Sequence, residues 1–180
     1  MNKLFLIFFL LVISCKTEKS TNKNHLGNFE SSIEDNNIPF KVFIEGYFDI
    51  DDYILLFYKD APDMPFDNKH KVIRSFKGSK KMQSLDLVIP EGELLYDFSL
   101  HISDKIGQKI EINKIVFQLG SEKINISKDS LSFYLRPNEY IDMNYDTGDF
   151  DLITVKKNGV EGYNPIFKGE AVLIDKLMFL

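Results

Sequence analysis

From residue 38 onward the chain alternates. Val42, Ile44, Gly46 and Phe48 are interleaved with Lys41, Phe43, Glu45 and Tyr47. That period of two predicts a strand with one buried face. Asp49, Ile50, Asp51 and Asp52 break the pattern as a turn. Residues 53–58 are almost continuously apolar and predict a short strand buried on both faces. Residues 59–71 carry two prolines and three aspartates. They predict a long loop curling over the sheet edge. Residues 72–76 read as another strand, closed by Gly78 and Ser79. Leu85, Leu87 and Ile89 alternate with Ser84, Asp86 and Val88 until Pro90 stops them. Tyr96, Phe98, Leu100 and Ile102 then alternate with Asp97, Ser99, His101 and Ser103, the cleanest half-buried strand of the chain.

The parity then slips. Ile110 and Ile112 share one phase, while Ile115, Phe117 and Leu119 take the other. Such a slip predicts a β-bulge or a junction near Asn113 and Lys114. Ile124 and Ile126 mark a short strand. Leu131, Phe133 and Leu135 mark another, with Ser132, Tyr134 and Arg136 outward. Ile141, Met143 and Tyr145 give one more, and residues 150–155 the next. The apolar spacing of residues 167–180 suits a short amphipathic helix and a final strand equally. About ten short strands, with turn signals between them and no helical crossover, predict an all-β domain over residues 38–180. The expected architecture is a jelly-roll-like β-sandwich preceded by a disordered N-terminal tether.

The first fifteen residues follow a different pattern. Lys3 precedes an unbroken apolar run over residues 4–13, and Ser14 precedes Cys15. This is the layout of a signal peptide over residues 1–14. Its apolar run is about half the length needed to cross a bilayer. Val12, Ile13, Ser14 and Cys15 resemble the lipobox of bacterial lipoproteins, with valine for the commoner leucine and a bulky Ile13. The resemblance implies that Cys15 is acylated and becomes the mature N-terminus. Several acyl chains would hold the protein firmly on a membrane. Lys16 stands where an aspartate retains some lipoproteins in the inner membrane, so the resemblance implies the outer membrane. Residues 16–37 are polar and bury too little to offset ordering, which predicts a flexible tether over residues 15–37.

Charge and cysteine usage narrow the function classes. The formal net charge is −5, and removing residues 1–14 makes it −6. Without a basic patch, no nucleic-acid partner is expected. The single cysteine permits no intramolecular disulfide. His25, His70 and His101 lack metal-ligand spacing, and neither a nucleophile elbow nor a phosphate-cradling loop is present. The expectation is a non-enzymatic domain without a cofactor.

Residues 44–58, Pro65-Phe66, Lys77-Gly78-Ser79 and residues 83–90 are similar to a β-sandwich domain of bacterial envelope proteins. That domain is sometimes found beside membrane-embedded sugar-transfer enzymes. Asp51, Asp52, Phe57, Tyr58, Gly78 and Ser79 carry the match, and residues 162–165 add to it. The resemblance implies an accessory domain in a glycan context.

Two constellations follow as ligand-binding candidates. Asp49, Asp51 and Asp52, with Asp60, Asp63 and Asp67 in the next loop, could gather carboxylates for Ca²⁺. Equally, aspartates favour turns because they bond the local backbone. Asp142 to Gly148 starts like an EF-hand loop, but the glycine falls one place late and Ile153 replaces the last glutamate. The second constellation is aromatic. Phe43, Tyr47, Tyr134 and Tyr140 take the parity opposite their strands' core residues and are candidate sugar platforms. The leading expectation is an outer-membrane lipoprotein that binds an envelope glycan or a protein partner. The alternatives are a carbohydrate-active enzyme using the acidic loops and a purely structural envelope protein.

Overall fold

A computed structural model describes residues 38–180. The expected signal peptide over residues 1–14, Cys15 and the expected tether lie outside the described residues. Alternation sets the strands as expected. β1 (Lys41–Phe48) turns Val42, Ile44 and Phe48 fully inward. β2 (Asp52–Lys59) does the same with Ile54, Leu56 and Tyr58. β3 (Lys71–Phe76), β4 (Ser79–Val88), β5 (Asp97–His101), β6 (Ile110–Leu119) and β7 (Glu122–Ser127) follow. Shorter strands complete the set: β8 (Leu135–Pro137), β9 (Ile141–Met143), β10 (Phe150–Leu152), β11 (Val155–Lys157), β12 (Val160–Gly162) and β13 (Ile166–Gly169).

The result is an all-β fold of two main antiparallel sheets. One sheet has the order β4-β1-β6-β7, the other β3-β2-β5-β13-β8. β9–β10 and β11–β12 are separate two-stranded ribbons. The sheets pack face to face through one continuous core. Phe98 of β5 meets Phe117 of β6 with ring centroids 5.2 Å apart, and Phe48 of β1 meets Phe76 of β3 at 4.6 Å. Each such ring removed from water contributes about 1.5–3 kcal/mol. The chain passes repeatedly between the two sheets.

The parity slip in β6 is a bulge. Glu45 pairs with Lys114 but Gly46 pairs with Ile112, so Asn113 is the extra residue. Gly46 faces it closely: a Cβ there would lie 2.3 Å from the Glu111 carbonyl oxygen.

Three expectations about the later strands need correction. Residues 131–136 are not one strand: Leu131–Tyr134 is a helical turn, α1, and β8 begins only at Leu135. Leu131 and Leu135 are both buried at helical i, i+4 spacing, while Phe133 is 61% exposed. Tyr145 lies in the β9–β10 turn and is 65% exposed, so it does not continue β9 inward. The expected strand over residues 150–155 divides into β10 and β11. Residues 167–180 hold both readings in series. β13 ends at Gly169, and α2 (Ala171–Leu177) buries Leu173 and Leu177 at the same helical spacing.

Candidate functional site

Asp49, Asp51 and Asp52 are spent on the backbone. Asp49 Oδ1 accepts the Lys109 N–H at 2.7 Å. Asp51 is exposed; its carboxylate accepts the Gly78 N–H at 2.8 Å and the Lys77 ammonium at 2.6 Å. The Lys77 hydrogen bond holds the Asp51 carboxyl below its ordinary pKa. Asp52 is buried and accepts the Ser103 hydroxyl together with the Asp104 and Lys105 N–H groups. Buried Gln108 completes the corner by pairing its amide with both backbone groups of Ile50. Asp49 and Asp52 therefore lace the β1–β2 turn to the loop after β5, and Asp51 ties it to the β3–β4 turn, the turn role that aspartate chemistry favours. Asp51 and Asp52 do line a shallow 460 Å³ recess with Tyr53, Phe76, Lys77 and Lys105.

The second acidic region is also tied up internally. In the β9–β10 turn, Asn144 Oδ1 accepts the N–H groups of Asp146 and Thr147. Lys128 sits between Glu111 at 2.8 Å and Asp149 at 2.6 Å, in a 560 Å³ cleft that Asp142 and Asp151 also line. The Lys128 bond holds the Asp149 carboxyl below its usual range. Among the described residues, no three His, Cys, Asp or Glu side chains gather to hold a metal ion.

The predicted aromatics are dispersed. Tyr47 lies on the outer face of β1, opposite Glu111. Tyr134 is on α1, where its hydroxyl accepts the Lys176 ammonium at 2.9 Å and its ring carries the same cation. Tyr140 lies in the turn before β9, with its hydroxyl against Gly162 of β12. Phe43 lines a polar hollow on the outer face of the four-stranded sheet.

A different aromatic group does converge, on the outer face of the five-stranded sheet. The register sets two cross-strand rows there. Phe57, Ser99 and Lys168 form one, and Leu55, His101 and Ile166 the other. β2 was expected to be buried on both faces; its outward residues are only half-buried. The long loop between β2 and β3 lies over the outer face rather than the sheet edge and covers that face incompletely. Phe66 at its tip is held by the Lys59 ammonium, 4.8 Å from the ring centroid, and Lys59 also pairs with Asp97 at 3.4 Å. Asp67 orders the next turn by accepting the Lys69 and His70 N–H groups and the His70 ring. The His70 bond also holds its carboxyl below the ordinary value.

Between loop and sheet lies a 360 Å³ groove lined by Phe57, Phe66, Asp67, Asn68, His101 and Lys168, with small Ser99 in its floor. Phe57 meets the His101 ring edge-on at 5.3 Å. His101 Nδ1–H donates to the Asn164 side-chain oxygen at 3.1 Å, which leaves Nε2 as an acceptor. Burial pushes the imidazole pKa down, and the Asn164 bond opposes it only in part. Two apolar rings beside an amide, a carboxylate, an imidazole and an ammonium can stack on an apolar ligand face while hydrogen-bonding its rim. Outward parity alone marks Phe57 and His101 in the sequence. Nothing local marks Phe66, which a loop delivers.

Compared with protein-family profiles, with curated proteins and with solved structures, the chain matches none.

Proposed function

We propose that this chain is a non-enzymatic outer-membrane lipoprotein, anchored through Cys15, whose β-sandwich binds an envelope glycan in the groove of the five-stranded sheet. The observation that carries the binding reading is the Phe57–Ser99–Lys168 row beneath Phe66. Pyranose rings present an apolar face and a hydroxyl rim. Phe57 and Phe66 suit the face; Asp67, Asn68 and His101 suit the rim. The anchor rests on the apolar run, Ser14 and Cys15 of the sequence.

Catalysis is the weaker reading because acidic-loop carboxylates are already engaged: Asp49 and Asp52 accept backbone N–H groups, Asp51 accepts the Gly78 N–H and the Lys77 ammonium, and Asp67 accepts the His70 ring.

Titration calorimetry of the purified protein against envelope polysaccharide fragments tests the binding. Phe57→Ala and Phe66→Ala should each weaken it about tenfold, a loss of roughly 1.4 kcal/mol. Binding unchanged in both variants would remove the groove from the reading. Metabolic palmitate labelling tests the anchor: label equal in wild type and Cys15→Ser would end it.

A further inference from the structure

Large apolar side chains are exposed together at the end of the domain where the described chain begins. Ile38 is 43% exposed, Leu94 55%, Met178 49% and Phe179 86%. Leu94 and Met178 share a 280 Å³ groove with Phe40 and Leu119. Ile38 joins them, because its Cδ1 lies 3.5 Å from the Cβ position of Gly120, the residue after Leu119. The segment is fixed there: the Phe40 carbonyl accepts the Ile89 N–H at 2.9 Å. None of the groove's lining side chains is charged.

We propose that this end, with Leu94, Ile38 and Met178 exposed on it and the exposed Phe179 next to Met178 in the chain, is a docking surface for the lipid bilayer. The proposal rests on the lipid-anchor reading. Three arguments select the bilayer. A sugar would find few side-chain partners for its hydroxyls, since Tyr96 alone among the lining side chains carries a hydrogen-bonding group. A stable homodimer buries roughly 800 Å² per copy, more than four partly exposed side chains supply. Finally, residues 15–37 join Ile38 directly to Cys15, so an acylated Cys15 tethers this end of the domain to the membrane. Covalent attachment raises the effective concentration of bilayer beside the surface, and a shallow apolar contact then suffices.

The chain contains no tryptophan, so Phe179→Trp introduces a unique fluorophore. The full acylated chain carrying it would be reconstituted into phosphatidylethanolamine–phosphatidylglycerol vesicles, with and without brominated acyl chains. Tyr145→Trp, in the β9–β10 turn, serves as the control. Insertion to roughly 5–10 Å predicts emission at shorter wavelength and about twofold quenching by bromine at position 179, with neither at 145. Adding Leu94→Asp should abolish both changes. Protein that floats with vesicles but shows an unshifted indole at 179 would refute the surface and leave the anchor intact. Protein that neither floats nor takes palmitate would refute the anchor, and the proposal with it. A shift without vesicles that grows with protein concentration would assign the patch to a second copy and overturn the proposal.

Discussion

Asp52 accepts the Ser103 hydroxyl at 2.7 Å, joining the first residue of β2 to the loop after β5. The same carboxylate takes the Asp104 and Lys105 N–H groups, and the Tyr163 hydroxyl donates to Ser103 at 3.1 Å. Deleting the carboxylate strands several donors where the protein excludes water. Asp52→Ala should therefore cost about 1–3 kcal/mol in urea unfolding. Asp51→Asn removes an exposed pair with Lys77 and should leave the urea midpoint nearly unchanged. Equal losses in the two variants would contradict this division of roles.

Leu100 and Phe133 separate a true inward parity from an apparent one. Leu100 is 1% exposed, so Leu100→Ala leaves a cavity between the sheets and should cost about 2–5 kcal/mol. Phe133, on the solvent side of α1, should cost under about 1 kcal/mol when truncated to alanine. A large loss at Phe133 would restore the strand reading of residues 131–136.

The same pair shows where the fold was legible. Period two stands clear in β1, β4 and β5, whose Val42, Ile44, Phe48, Leu85, Leu87, Phe98 and Leu100 are buried, whereas the continuous apolar run of β2 hid its alternation. Leu131, Phe133 and Leu135 satisfy period two over too few residues. Leu131 and Leu135 share a side under either reading, and the exposure of Phe133 between them decides for the helical turn. The groove was half-legible. Phe57 and His101 carry the outward signal, but Tyr47, Tyr134 and Tyr140 carry it as clearly and end far apart in the topology. Convergence depends on strand order and on a loop crossing the sheet, which local pattern does not encode.

The bulge opposite Gly46 yields a sharper test of backbone packing. Asn113 pushes the Glu111 carbonyl towards β1, where only a residue without a Cβ avoids it. Gly46→Ala should destabilise the domain by about 1–3 kcal/mol, because strand separation has to absorb the overlap. Thermal unfolding measures it. A neutral substitution would mean that β1 and β6 relax freely at this point.

His101 gives the groove a pH dependence of known sign. Its folded pKa is pushed below the ordinary 6.5, mainly by burial. The protonated form is thus favoured in the unfolded chain. Its contribution to stability is complete above the unfolded pKa and is lost as pH falls from there through the folded pKa. Binding should follow the same proton. With Nδ1–H given to Asn164, neutral His101 offers Nε2 to a sugar hydroxyl, and protonation removes that acceptor. Asp67 does not confuse the signal, since its carboxyl is held below the usual range by His70 and ionises well under this window. Glycan affinity should therefore be flat from pH 8 to about 6.5 and weaken as pH falls further towards 5. His101→Gln keeps a hydrogen-bonding side chain without a titrating one and should flatten the profile. Calorimetry across that range decides: a profile unchanged by His101→Gln would exclude the imidazole from ligand recognition.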